Sequence, residues 1–263
     1  MSFLPRVLIS SAILFLLSSF PRVSWGHAVA ALLVCGALCY AGARSNAAGP
    51  ELVVALAALY FIPSSLITLP EGALFDVIKV SQVPIAMLRD LVVALVVAVV
   101  ICALSRRREE RQGRTGVEGS VTTVGGLLWR LGACTATFVL CYFLAGMVIF
   151  PLVKDYYAVR EMPSLASIVA MQVLRSLALI AASYPLLRTI PSRTDGQLIL
   201  ALAITLISGL APLIPPNDLM PPRVRLVHAL EVTPYYALYG FLIATWFGAR
   251  KKQNAGVSAD AAR

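Results

Sequence analysis

Residues 223–246 read RVRLVHALEVTPYYALYGFLIATW, and this stretch decides the class of the fold. The run is apolar enough to span a bilayer as a helix, yet it carries His228, Glu231, Tyr235 and Tyr239. At about 3.6 residues per turn these four side chains fall within about 80° of arc, on one face of the helix. Polar groups inside lipid are costly and tend to mark buried sites, so this face is predicted to carry a buried polar site.

Composition indicates the same environment for the rest of the chain. Its 263 residues are 59% hydrophobic and 13% charged, with a mean hydropathy of +0.83, whereas a soluble domain is about 25% charged. The apolar runs are long and unbroken, unlike the short alternating segments of outer-membrane barrels. We therefore predict an all-α, polytopic transmembrane helical bundle whose exterior faces the lipid bilayer.

Length and hydropathy predict about eight membrane spans. They cover residues 7–20, 26–43, 51–69, 84–104, 125–150, 165–187, 197–214 and 226–247. The first span has an alternative interpretation as a signal peptide, with small residues near Ser24-Trp25-Gly26 at the cleavage position. Arg22 and the span that follows it at once favour a retained helix.

The longest charged loop predicts the orientation and the division of the chain. Residues 105–123 carry five arginines, and such loops stay in the cytoplasm. Counting spans from this loop places both termini in the cytoplasm as well. The predicted parts are a first four-span half (1–104), a cytoplasmic linker (105–123), a second four-span half with the polar site (124–250) and a disordered cytoplasmic tail (251–263).

Several other classes of function are disfavoured by the same residues. The net charge of +9 comes from basic residues at the ends of apolar runs, so the contiguous basic face that nucleic-acid binding needs is missing. The five cysteines lie inside apolar runs without a Cys-x-x-Cys pair, which argues against a disulfide framework. His228 and Glu231 alone are too few ligands for a stable zinc site, and no cofactor is predicted.

The chemistry is predicted to lie where the sixth and eighth spans meet. Gln172 and Arg175 share one face of the sixth span, and Arg175 lies about 15 Å below its outer end at about 1.5 Å per residue. Glu231 on the eighth span lies at a similar depth. An Arg175–Glu231 ion pair is therefore expected, with Gln172 and His228 completing the hydrogen bonds.

An ungapped overlay suggests an internal repeat, because residues 81–107 align with residues 167–193 and Arg89 then matches Arg175. Two-span hairpins repeated in the same orientation would give the parallel-repeat architecture known in transporters. Proline after outer helix ends and arginine at inner ends also follow from general membrane topology, so both interpretations stay open. Arg89 is either a third member of the cluster or a side chain that reaches the outer interface beside Asp90.

Two functions of different classes fit such a cluster. The leading hypothesis is a small transporter or channel-like permease that binds an unknown small solute, ion or proton, since histidine titrates near neutrality and a buried glutamate can be brought into range. The alternative is a structural or assembly subunit with a membrane-protein partner, whose polar groups only clamp helices together. The predicted binding residues are Gln172, Arg175, His228 and Glu231, with Tyr235 and Tyr239 lining the path.

A membrane-embedded enzyme is a third hypothesis, less expected than a protein without catalytic activity. Cys141, Arg175 and His228 occur in that order on separate spans, and this order resembles the exosortase and archaeosortase families, where Cys, Arg and His act in an outer-face transpeptidase. Here Cys141 is flanked by Leu140 and Tyr142 in place of the small polar neighbours expected beside the nucleophile. A thiolate is also disfavoured deep in lipid.

A further set of residues is spread over the last hundred positions. It comprises Gln172-Val-Leu-Arg175, Pro216-Asn217, Met220-Pro221, Val224-Arg225, His228, Glu231 and Gly240. The set resembles a family of bacterial polytopic integral membrane proteins whose activity is uncharacterised, although Tyr235-Tyr236 stands where that family has a small polar pair. The resemblance implies a location in the bacterial inner (cytoplasmic) membrane and implies no activity.

Overall fold

The computed structural model describes residues 2–19, 23–75, 78–105, 123–158, 162–216 and 220–248. Within these ranges the chain is helical and contains no strand, which confirms the predicted all-α bundle. The α-helices are α1 (Phe3–Ser19), α2 (Trp25–Arg44), α3 (Gly49–Phe61), α4 (Thr68–Leu74), α5 (Val83–Ser105), α6 (Val124–Tyr157), α7 (Leu165–Leu187), α8 (Arg193–Ile204) and α9 (Pro222–Phe247).

The nine α-helices of the described chain form eight segments, because α3 continues into α4. These eight segments lie where the eight spans are predicted. Six of them are long and apolar enough to cross a membrane: Trp25–Arg44, Gly49–Leu74, Val80–Ser105, Val124–Tyr157, Leu165–Leu187 and Arg193–Leu213. The segment at the N-terminus is a shorter apolar helix, and α9 carries the charged residues of the stretch 223–246. The fold is therefore a helical membrane-protein bundle of about eight spans.

Two segments depart from regular α-helix. A π-helical turn at Ile62–Leu66 joins α3 to α4, and a second at Thr205–Leu210 leads from α8 into a 3₁₀ turn at Ala211–Leu213. Proline has no N–H and its ring displaces the carbonyl four residues before it, so Pro63 cannot continue regular α-helical bonding. In the widened turn the carbonyl of Pro63 accepts a hydrogen bond from the hydroxyl of Thr68 at 2.9 Å.

The third span consequently ends later than predicted. The predicted end was residue 69, and after the widened turn the helix continues as α4 to Leu74. The fifth span is also longer than predicted, since α6 runs past residue 150 and Pro151 to Tyr157. Glu71 and Tyr157 lie on these extensions, and both line a cavity between the helices.

One hydrophobic core takes side chains from both predicted halves. The helix α3 packs against α5 and α7, α2 packs against α1 and α8, and α9 packs against α8 and α6. At the contact of α9 with α8, Gly240 lies directly on the backbone of Leu200, where a Cβ would clash. Small residues allow such close helix packing in membranes. Residues 106–122 of the predicted linker, with their arginines, and the predicted tail 251–263 lie outside the described residues.

Basic side chains hold both ends of α9. Near its C-terminus, Arg130 of α6 donates to the carbonyl of Trp246 at 3.1 Å and Arg193 donates to the carbonyl of Thr245 at 2.5 Å. The last carbonyls of a helix lack intrahelical partners and carry partial negative charge, so guanidinium groups suit them. Near the N-terminus, Arg225 donates to the carbonyl of Ile214 at 3.3 Å. These contacts connect α9 to α6, to α8 and to the segment that follows α8.

Candidate functional site

A cavity of about 730 Å³ lies between α4, α6, α7, α9 and the segment that follows α8. This volume is within the range of small-molecule sites, about 300–1,000 Å³. Most of the lining is apolar or aromatic. Its acidic and basic members are Glu71, Arg175, His228 and Glu231, and its tyrosines are Tyr142, Tyr156, Tyr157, Tyr235 and Tyr236.

Arg175 of α7 forms an ion pair with Glu71 of α4, through its Nη2 and the Oε2 of the carboxylate. Both side chains are shielded, with exposed fractions of 9% for Arg175 and 20% for Glu71. Two charges removed from water need such a partner, because desolvation is expensive for an unpaired ion. The predicted Arg175–Glu231 pair is wrong: in the described part of the chain the carboxylate that pairs with Arg175 is Glu71.

Glu231 contacts His228 instead, one turn earlier on α9. The imidazole Nδ1 lies 2.7 Å from the Oε2 of Glu231, and its Nε2 lies 3.0 Å from the hydroxyl of Tyr157 on α6. A neutral imidazole protonated at Nδ1 donates to Glu231 and accepts from Tyr157, whereas the imidazolium donates to both. Both contacts of the imidazole are therefore compatible with either form of the ring.

The two tyrosines predicted to line the path have different surroundings. Tyr235 is buried and lines the cavity. Tyr239 is buried beside it but does not belong to the lining; its hydroxyl lies 2.5 Å from that of Ser176 on α7. Ser176 also donates to the hydroxyl of Thr135 on α6 at 3.0 Å. Tyr239 thus joins three helices next to the cavity.

Gln172 does not take the role expected for it. Its side chain is fully buried, and within the described residues neither its amide nitrogen nor its amide oxygen has a hydrogen-bond partner. It is not among the residues that line the cavity. The predicted hydrogen bonds from Gln172 to the ion pair are therefore not formed.

Arg89 is not a member of the polar cluster and contacts Asp90 instead. Its Nη2 lies 2.8 Å from the Oδ1 of Asp90, and 61% of its side chain is exposed. Asp90 also accepts a hydrogen bond from Ser65 at 2.8 Å. Arg89 does not line the cavity, so the equivalence of Arg89 and Arg175 in the sequence overlay has no counterpart in the cluster.

The lining residues that the sequence reasoning missed include Glu71, Tyr142 and Tyr157. Glu71 lies just beyond the apolar run that predicts the third span and follows Pro70, which favours a loop. The available signal is the carboxylate itself, because extending the helix by two residues would place it at membrane depth. Tyr157 likewise lies beyond the predicted end of the fifth span, where α6 continues.

The residues of the enzyme hypothesis do not line one cavity together. Arg175 and His228 belong to the lining, whereas Cys141 is half-buried on α6 outside it. In the described ranges no group of three or more His, Cys, Asp or Glu side chains is placed to hold a metal ion. His228 and Glu231 provide only two candidate ligand side chains, and these two bond to each other.

Comparison of the chain with protein-family models, curated proteins and solved structures gave no match. The arrangement of the cavity is therefore the basis on which a function can be argued.

Proposed function

We propose that the protein is a small transporter or channel-like permease of a bacterial inner membrane and that the cavity is its solute site. The proposal depends on one observation: the two interrupted helices meet at this cavity. Glu71 follows the π-helical turn at Ile62–Leu66, and Ser208 lies in the turn at Thr205–Leu210; both line the cavity. The two turns also contact each other.

Interrupted helices at corresponding positions are typical of transporters. A π-helical turn keeps its backbone hydrogen bonds but departs from the regular α-helix, and such turns are frequent at functional sites. Irregular backbone at membrane depth lines the cavities in which transporters bind solutes and ions. The two π-helical turns interrupt the third span of the first predicted half and the third span of the second. Within the described chain the buried hydroxyl of Ser208 has no hydrogen-bond partner, and the residue belongs to the cavity lining.

The ionisable side chains give the cavity chemistry suited to a solute or a proton. Of the predicted binding residues, Arg175, His228, Glu231 and Tyr235 line it. Gln172 and Tyr239, which lie outside the lining, would act as supports on α7 and α9. In this proposal both termini face the cytoplasm and the cavity lies in the outer half of the bilayer, as the charged loop 105–123 predicts.

Uptake into proteoliposomes tests the transport function. The purified full chain is reconstituted, and uptake is compared across a panel of radiolabelled amines, carboxylates, sugars and amino acids. At least one solute should enter faster than in protein-free liposomes, and Glu231→Gln should reduce that uptake. Glu51→Gln is the matched control, because Glu51 is exposed in the first turn of α3 and outside the cavity. Equal uptake by Glu231→Gln and the unaltered protein would count against the site.

The structural or assembly subunit remains the alternative, and one observation favours it. The Arg175–Glu71 ion pair ties α7 to α4 as a clamp between the two halves of the chain. If this clamp is the purpose of the cluster, none of the solutes should be taken up. Replacement of both partners by leucine should then leave a folded protein that still assembles with its partner.

A further inference from the structure

We propose that the cavity binds an amphipathic organic cation, with its cationic head group at Glu231 and its apolar body against the aromatic wall. The inference rests on the proposed solute site and names the class of its solute.

The charges around the cavity favour a positive ligand. Within the described residues its lining contains two carboxylates, one guanidinium and one imidazole. Glu71 and Arg175 neutralise each other in their ion pair. A neutral His228 donates Nδ1–H to Glu231 and leaves the charge of that carboxylate in place. With the imidazole neutral, the lining has one negative charge in excess, at Glu231.

The carboxylate of Glu231 is also accessible from within the cavity. Its side chain is only 9% exposed, so water compensates little of its charge and a cation would gain from contact with it. The contact with His228 uses Oε2. Oε1 of Glu231 faces Gly146 of α6, and a Cβ built on this glycine would lie 4.0 Å from Oε1. Because glycine has no side chain, there is room for a head group beside the carboxylate.

The remaining lining suits an apolar and aromatic body. Tyr142, Tyr235, Tyr236, Phe143 and Phe150 contribute aromatic rings, and ring faces attract cations as well as apolar groups. The volume of about 730 Å³ is far larger than a bare inorganic ion needs. A sugar would place several of its hydroxyl groups against the apolar part of the lining, where they would lose their hydrogen bonds to water.

An anion at Arg175 fits the geometry less well. The guanidinium is already bonded to Glu71, so an anionic ligand would have to displace that carboxylate. Displacement would leave Glu71 as an unpaired, largely buried charge in the same cavity as Glu231, which is energetically costly.

Three probes with the same apolar body and different head groups test the inference: phenylbutylamine, phenylbutanol and phenylbutyrate. Equilibrium binding is measured on the purified full chain in detergent at neutral pH, where the amine is protonated. The amine should bind about ten-fold more tightly than the alcohol, and the carboxylate should bind most weakly. Equal binding of amine and alcohol, tightest binding of the carboxylate, or no binding of any probe would overturn the inference.

Two variants locate the binding. Glu231→Gln should lower the affinity for the amine to that for the alcohol, whereas Glu51→Gln should leave both affinities unchanged. Gly146→Leu retains every charge but fills the space beside Glu231, so it should abolish binding of amine and alcohol alike. This second variant keeps the test decisive if Glu231→Gln does not fold. Full affinity for the amine in the variants that fold would place the cation elsewhere and overturn the proposal.

Binding and uptake separate this inference from the transport function. Charge-selective binding without uptake into proteoliposomes would contradict transport and support the cation site. Uptake of solutes without preference for the amine, combined with equal binding of the three probes, would support transport and overturn the cation site.

Discussion

Arg175 on α7 is paired with Glu71 on α4, although 104 positions separate the two residues in the chain. Both are largely shielded from water, and both line the same cavity as His228 and Glu231. The pair therefore connects the first half of the chain to a polar cluster that would otherwise belong to the second half.

The ion pair predicts non-additive effects of mutation. Arg175→Leu and Glu71→Leu should each lower the free energy of unfolding by roughly 3–5 kcal/mol, because each leaves a buried charge without a partner. The double variant should be more stable than either single one. Thermal unfolding in detergent measures all three proteins.

The exposed Arg44–Asp195 pair is the matched control, with exposed side-chain fractions of 50% and 29%. Replacing either of its partners should cost only about 0–1 kcal/mol. If the costs of Arg175→Leu and Glu71→Leu simply add in the double variant, the two residues do not interact energetically.

The close contact of α9 with α8 predicts that a side chain at position 240 would clash with α8. Gly240→Ala places a methyl group against the backbone of Leu200, so one helix must shift, at a cost of about 1–3 kcal/mol. Gly36→Ala on α2 is the control, because nothing lies within 4 Å of its added Cβ. That change should be neutral or slightly stabilising, since alanine favours helix over glycine. Equal unfolding temperatures for the two variants would show that α8 and α9 do not pack this closely.

Because the buried amide of Gln172 has no partner within the described residues, its removal is predicted not to lower the stability of the protein. Gln172→Met replaces an amide that lacks partners by an apolar side chain of similar length, so stability should be unchanged or higher. Gln197→Met is the comparison, because the amide of Gln197 donates to the hydroxyl of Thr245 at 2.8 Å. Loss of that bond should lower stability by about 0.5–1.5 kcal/mol. A larger loss for Gln172→Met than for Gln197→Met would mean that Gln172 has a polar partner.

The contact of Tyr157 with His228 predicts a modest loss of stability when the tyrosine hydroxyl is removed. Tyr157→Phe removes the hydroxyl that lies 3.0 Å from Nε2, so the unfolding free energy should fall by about 0.5–1.5 kcal/mol. Tyr184→Phe is a suitable control, since Tyr184 is 48% exposed on α7. Chemical or thermal unfolding in detergent compares the two. No difference between them would mean that the hydroxyl of Tyr157 does not bond to the imidazole.

Much of the architecture followed from local patterns in the sequence. Long apolar runs predicted the helical bundle and the positions of its eight segments, because a spanning helix satisfies its own backbone and must expose apolar side chains to lipid. Helical periodicity also predicted that His228, Glu231, Tyr235 and Tyr239 share one face of α9. In the structure these positions belong to one continuous helix, and Glu231, Tyr235 and Tyr239 are buried. His228, Glu231 and Tyr235 line the cavity, whereas Tyr239 does not.

The partner of each polar group was decided only by the tertiary structure. Whether Arg175 contacts Glu71 or Glu231 depends first on how far the helix continues after the turn at Pro63. It also depends on how α4, α7 and α9 are rotated and shifted against one another. Hydropathy sets where a helix crosses the membrane, but it carries no information on relative rotation, because lipid accepts any apolar face. Those rotations follow from packing between residues far apart in the chain, such as Gly240 against Leu200, and they make Glu71 part of the site.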